Sequence, residues 1–325
     1  MRSILQVPGP VKAFFDQFPL QTYPAVSKKD EASLCEYNAR SYAFREQKAL
    51  QRSVNDIFKL GVYNVYEDPE SGCVLATDPW CLYAQLSLCK KNGLKLARKK
   101  EAPSRQQQKQ QQKQQPALLV VSRLAASDKS LPILIEGCSK RNVRSTTGIN
   151  EILGSRLRDA EELMYVSLLD SVVYDCWTTQ ALCELSVARF LQLYDGTSTD
   201  FAALQGPLYQ TIREDLLERN DFSLRHLEIS RHVRYMHLYQ SKNAHQLTSP
   251  LFDSCKAALD RFAELLGSRT LFSNDSEPSY LDLKLASYVL CFLSLDDQES
   301  SLARYLRHEG CTLTTHARAV IAHFE

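Results

Sequence analysis

Cys81 is the side chain best placed to act as a reagent. It follows Thr77-Asp78-Pro79-Trp80, where Asp78 can cap a helix and Pro79 can take an early position in its first turn. The start of a helix favours the thiolate, the form of cysteine that attacks electrophiles. Leu82 follows directly, so the competing reading is a thiol packed as a small hydrophobe. His226, His232, His237 and His245 share a stretch with Arg231, Arg234 and Lys242. No two of these histidines are four apart, so a metal-binding pair on one helix face is not expected. The stretch reads as a solvated basic face, or as a patch for anionic lipid headgroups. The ten cysteines show no CxxC pair and no zinc-type spacing. No catalytic, cofactor-binding or metal-ligating residue is expected, with Cys81 held as the alternative nucleophile.

The elements that would position these residues have to come from an ordinary globular composition. The 325 residues are 44% hydrophobic and 24% charged, enough for two domains with cores of their own. A formal net charge of +1 argues against nucleic acid as the partner. Cys81, Cys89, Cys176, Cys183 and Cys291 fall in apolar helical patterns, which suits reduced thiols. Met1 to Leu20 lacks the apolar core of a secretory signal, and no stretch is long enough to span a bilayer. Membrane contact is expected to be peripheral.

The chain divides into three parts. Residues 1–56 form an extension in which prolines alternate with aromatic residues. Val11, Phe14, Phe15, Phe18, Leu20 and Tyr23 are its candidate docking residues, either on the chain's own domain or on a partner. Asp30 to Gln51 reads as a surface helix. Residues 57–156 read as an α/β domain: a strand over Phe58 to Tyr66, a loop from Asp68 to Thr77, a helix from Asp78 to Asn92-Gly93 and a strand over Ala117 to Leu124. Within it, Arg105 to Gln115 holds eight glutamines and two lysines, so about 101–116 is expected to be a disordered insert. A strand over Leu131 to Ile135, a returning strand over Lys140 to Arg144 and a helix capped by Ser145 or Thr146 close this part. Pro132, at the head of a buried strand, requires a special turn.

Residues 157–325 are expected to be all helical. Leu163, Val166, Leu169, Val173, Cys176 and Trp177 mark a helix buried on most of its circumference. Ser249-Pro250 is expected to start another helix that Gly267 stops. Ser279 and Asp282 form a capping-box-like start to the apolar run through Phe292. Ala317, Val320, Ile321 and Phe324 mark a closing helix.

A strand, hairpin and helix led by Leu-Pro, followed by a Ser-x-x-Asp box in a helical half, resembles glutathione transferases. The implied fold is a thioredoxin-like N-terminal domain followed by a helical C-terminal domain, with Pro132 in the cis form. That family presents a Tyr, Ser or Cys where the first strand meets the first helix, and a Glu/Gln-Ser pair for the ligand's γ-glutamyl end. Here the second position reads Arg144-Ser145, and an arginine would repel the ligand's amino group. A fold kept without its catalytic pocket is implied.

FPLQTYPA, KLGVYNV, LATDPWCLYAQLSLCKKNGL, LPILIEG and YLDLKLASYVLC further resemble the metaxin-related 35-kDa subunits of the mitochondrial sorting and assembly machinery. The resemblance runs from about Val7 to Trp177 and again from Ser279 to Cys291. It implies a non-enzymatic, peripheral subunit on the cytosolic face of the mitochondrial outer membrane. Its implied partners are the barrel-forming subunit, a 37-kDa metaxin-like subunit and β-barrel precursors carrying a β-signal. The alternatives are a glutathione- or thiol-dependent transferase using Cys81, and a glutathione-transferase-like scaffold of a cytosolic assembly.

Overall fold

Short β-rich segments bounded by turn residues build a small sheet in the first half of the chain, and periodic apolar faces build helices in the second. The computed structural model describes residues 31–46, 57–99, 115–137, 142–196, 202–235, 244–273, 277–296 and 300–325, with single positions 9, 12, 16, 17 and 298. Val11, Phe14, Phe15, Phe18, Leu20 and Tyr23 lie outside the described residues, as does the glutamine-rich run through residue 114. The chain divides into two units, 1–39 and 40–325. In the first, Glu31–Ala39 is a helix, α1. The surface helix expected over Asp30 to Gln51 is therefore shorter, because Ser41, Tyr42 and Ala43 take ladder partners in the sheet instead.

The strands are β1 (Ser41–Ala43), β2 (Arg45–Glu46), β3 (Phe58–Val62), β4 (Val65–Glu67), β5 (Val74–Ala76), β6 (Leu94–Lys95), β7 (Ala117–Val120), β8 (Ile133–Glu136) and β9 (Asn142–Arg144). The main sheet has the order β1-β7-β3-β8-β9, with β3 parallel to β7 and antiparallel to β8. Helix α2 (Pro79–Asn92) makes the β3–β7 crossover and α3 (Thr146–Gly154) follows β9. With the cis Leu131–Pro132 peptide ahead of β8, this is a thioredoxin-like arrangement extended by one edge strand, β1. The stretch Phe58 to Tyr66 is two strands. Asn64 breaks it, because its side chain accepts from Val65 N at 2.9 Å while its carbonyl takes Thr77 N at 3.1 Å. The expected loop from Asp68 to Thr77 accordingly contains β5, which pairs with β4.

Every described element from residue 160 onward is helical. These are α4 (Ala160–Leu168), α5 (Tyr174–Cys183), α6 (Val187–Tyr194), α7 (Ala202–Glu218), α8 (Phe222–Arg225), α9 (Leu227–Arg234), α10 (Ala244–Leu266), α11 (Tyr280–Leu293), α12 (Ser301–His308) and α13 (Cys311–His323). A π turn over Leu169–Val173 joins α4 to α5. Its extra residue rotates the helix face by about 100°. The buried stripe runs from Val166 through Trp177, while Leu163, one turn earlier on α4, is exposed. Helix α10 begins at Ala244 and carries Pro250 inside it, six residues past that start, rather than starting there.

The centre of the molecule is α11, in which every residue from Leu281 to Phe292 is buried. It packs on α2 from the sheet half and on α13 from the helical half. Helix α13 reaches back to the sheet half: the Phe324 carbonyl accepts from Leu96 N at 2.9 Å, Arg45 donates to the carbonyls of Leu96 and Glu325 at 2.9 Å, and Arg318 meets Asp68 at 2.7 Å.

A wholly buried helix needs every polar group on it satisfied. Ser279 and Asp282 close a capping box, with Asp282 N donating to Ser279 Oγ at 3.1 Å and Ser279 N to Asp282 Oδ2 at 2.7 Å. Asp282 Oδ1 also accepts from Phe272 N at 2.8 Å and meets His316 Nε2 at 2.9 Å. Burial works to raise the pKa of this carboxyl, but the contacts from His316, Phe272 and Ser279 prevail and lower it. A depressed folded-state pKa contributes stability above the unfolded value and loses it as pH falls through the folded one. Asp282→Asn should therefore unfold at lower urea than the parent chain at neutral pH, by about 1–3 kcal/mol. The gap should close as pH falls below about 4, the ordinary aspartate value; an equal gap in urea midpoint at pH 7 and pH 3 would refute this linkage.

Candidate functional site

In a thioredoxin-like fold the place for chemistry is the N-terminus of α2 beside the cis-proline loop. The sequence builds that place from Tyr63 after β3, the Asp78 cap, and Leu131 ahead of the cis bond. Asp78 accepts from Trp80 N at 3.1 Å and Cys81 N at 3.2 Å, so a carboxylate of the chain itself occupies the positive end of the helix.

Its counter-charge arrives from the helical half. Arg219 Nη1 donates to Asp78 Oδ2 at 2.7 Å, and its Nη2 donates to Asp78 Oδ1 at 3.0 Å and to the Leu131 carbonyl at 2.8 Å. Both side chains are buried, 3% and 0% exposed. The guanidinium lies over Trp80 at 4.4 Å from the ring centre, with Tyr63 at 5.7 Å and Tyr174 at 5.8 Å. Leu131 N donates to the Tyr63 hydroxyl at 3.1 Å, so the backbone groups on both sides of that residue are taken internally. Burial pushes the Tyr63 phenol up to about 12, which keeps it neutral.

Arg219 is delivered by a kink. Asn220 and Asp221 both have positive φ, 55° and 53°, a region that asparagine and aspartate enter more readily than other side chains. Asn220 Nδ2 donates to the Asp170 carbonyl in the π turn at 2.8 Å. The Asp170 side chain anchors a second polar group: Lys284 Nζ at 2.7 Å, Tyr288 Oη at 3.1 Å and Trp80 Nε1 at 3.2 Å all reach its Oδ1. Lys284, in the middle of α11, is 1% exposed.

The remaining residues singled out from sequence fall around this centre. Cys81 is completely buried, and burial, reinforced by the Asp78 carboxylate, pushes its thiol well above the ordinary value; Arg219 offsets this only in part. The packing of the first turn thus holds the thiol in its neutral form. Ser145 caps α3 by accepting from Gly148 N at 3.4 Å. Arg144 is not aimed at the α2 N-terminus; its Nε donates to Glu136 at 3.0 Å on the sheet's far edge. His226 meets Asp175 at 2.7 Å beside Arg225, and His232 is half-buried on α9; His237 and the side chain of His245 lie outside the described residues. Among the described residues no group of three or more His, Cys, Asp or Glu is placed to hold a metal ion. Sequence reasoning missed Arg219, Asp170 and Tyr63. Its one available signal was Lys284, a lone cation inside an apolar helix, which has to find a buried partner.

The family model described as SAM35, subunit of SAM complex, matches residues 5–136. A Saccharomyces cerevisiae protein named Sorting assembly machinery 35 kDa subunit is 40% identical over 341 aligned residues, covering 100% of this chain and 99% of that one. Among solved structures, the glutathione transferase GSTFuA3 from Phanerochaete chrysosporium is similar at 14% identity, covering 83% of this chain and 98% of that one, with a TM-score of 0.45. A glutathione S-transferase from Methylobacterium radiotolerans, in complex with glutathione sulfonate, is 10% identical over 82% of this chain and 93% of that one, with a TM-score of 0.43.

Two measurements check the centre. Arg219→Met leaves Asp78 charged and unpaired in the interior and should cost about 3–5 kcal/mol in urea unfolding. Adding Asp78→Asn to that variant should return part of the loss; strictly additive losses would mean the two side chains are not coupled. Iodoacetamide at neutral pH should alkylate the exposed Cys35 and Cys311 and leave Cys81 unmodified until the chain unfolds, as read by peptide mapping. Fast labelling of Cys81 in the folded protein would restore the thiol-enzyme reading.

Proposed function

The chain belongs to the family of 35-kDa subunits of the sorting and assembly machinery, and from that premise we propose that it works as a non-enzymatic receptor subunit on the cytosolic face. The family membership itself carries a role in outer-membrane protein assembly at the mitochondrial outer membrane, in company with other components of that machinery. In the proposed reading the neighbours are the barrel-forming subunit and a 37-kDa metaxin-like subunit, and the cargo is β-barrel precursors with their β-signal. The observation that carries the non-enzymatic part is the filled crevice. The helix end that a thiol-activating site would use holds Asp78 and Arg219 instead, and Cys81 is sealed beneath them.

No described helix is long and apolar enough to cross a membrane, which supports attachment through a partner or at the surface. The partner contacts in this reading are the aromatic and aliphatic residues of the extension, Val11, Phe14, Phe15, Phe18, Leu20 and Tyr23. A segment so rich in aromatic side chains supplies the kind of anchors that dominate protein interfaces. One experiment tests the proposed neighbours. Affinity purification of the tagged full chain from mitochondria in mild detergent should recover a β-barrel protein and a second metaxin-like subunit. Recovery as a monomer from the cytosolic fraction would overturn the subunit reading. Replacing Phe14, Phe15 and Phe18 together with Ala should lower recovery of the barrel partner at least fivefold with an unchanged unfolding temperature. Unchanged co-purification would remove the extension from the interface.

A further inference from the structure

We infer that the cleft between α2 and α3, together with the outer edge of β9, receives an extended segment of a second protein, seating a bulky apolar side chain in the cleft and a carboxylate on its basic rim. The inference concerns the isolated chain and stands apart from the subunit role proposed above.

The cleft is a cavity of about 100 Å³, the size of one branched or aromatic side chain. Leu60 and Leu134 of the sheet form its floor, and Leu88, Ile149, Ile152 and Leu153 its walls. Ile152 is 36% exposed at its mouth, although it sits on an otherwise apolar face of α3. The rim carries Lys91, Arg144 and Arg156 against one carboxylate, Glu136. That carboxylate already accepts from Arg144 Nε at 3.0 Å and Asn142 Nδ2 at 3.1 Å. The guanidinium of Arg156 lies 5.9 Å over the Tyr280 ring on the exposed side. A rim with this surplus of cations selects an acidic group from whatever enters.

The backbone beside the cleft is open in a defined way. Strand β9 is the last in the sheet order. Gly137 N donates to the Ile57 carbonyl at 2.8 Å, which fixes the alternation of bonded pairs along β3 and β8. Ile135 thus turns its backbone groups toward β3, while Leu134 and Glu136 turn theirs toward Arg144 and Asn142. Val143 is left with its N–H and C=O aimed outward, and it is 49% exposed. Parity then joins the edge to the cleft: Arg144 stands in register with Leu134 and Leu60, so its side chain shares their face of the sheet. A strand bonded to Val143 places alternate residues over the cleft, and two such residues, one apolar and one acidic, meet the cavity and the rim.

A fluorescein-labelled peptide Thr-Thr-Phe-Thr-Asp-Thr, with its Phe and Asp on one face, tests this by anisotropy against the full chain. Saturable binding is expected, weakened at least tenfold by Arg144→Glu and at least fivefold by Val143→Pro, which deletes the outward N–H. A peptide with Lys for Asp should bind the Arg144→Glu chain better than the parent chain, a charge swap that a misfolded variant cannot produce. The inference is overturned if the peptide does not bind saturably, or if the Arg144→Glu, Val143→Pro and Lys-peptide affinities all equal the parent value. Full competition by anionic vesicles or by N-acetyl-aspartate alone would reduce the rim to a general anion patch and overturn it as well. A concentration-dependent dimer abolished by Val143→Pro would assign the edge to a second copy instead.

Discussion

The Asp78–Arg219 pair is the contact on which the relation between the two halves depends. A charge pair taken out of water is weakly stabilising in total but severe to break, because each partner would otherwise stand alone in a low-dielectric interior. Here that severity is used as a constraint on geometry. Asp78 has to cap α2 and meet a guanidinium at once, and Arg219 has to reach both the cap and the carbonyl ahead of the cis bond. The arrangement accepts positive φ at Asn220 and Asp221 to bring the guanidinium there, a local cost of about 1–2 kcal/mol per residue. Three pieces of chain, at residues 78, 131 and 219, are thereby held at one point.

The same logic repeats one layer further in. Lys284 and Asp170 form a second ion pair, bridged to the first by Trp80, which donates to Asp170 and lies under the guanidinium of Arg219. Asp282 and His316 make a third buried polar contact at the start of α11, 2.9 Å apart. A fold whose crevice had to admit a ligand would leave donors free at the α2 end. This one consumes them in cross-links between the sheet and the helices. A centre that could have been reactive serves here as the joint between two fold classes.

Local features were legible in the sequence because their partners lie within a few residues. The Asp78-Pro79 start, the Gly93 stop, the Ser145 cap and the Ser279/Asp282 box each rest on contacts no more than four residues apart. The order of strands and helices followed from them. Arg219 was invisible for the opposite reason: its carboxylate is 141 residues away, and nothing in Arg219-Asn220-Asp221 marks an inward-facing cation. Pro250 misled because a proline removes a single N–H and α10 runs through it. Leu163 misled because its apolar spacing continues one turn beyond the face that neighbouring helices cover.

The contacts between α13 and the sheet half govern the order in which the molecule can be made. Leu96 hands its N–H to the Phe324 carbonyl, Arg45 bonds the Glu325 carbonyl, and Asp68 waits for Arg318. These three pairings form only once residues 318–325 have been made. While the ribosome is still at work, the sheet half therefore carries unsatisfied polar groups and an uncovered apolar α2.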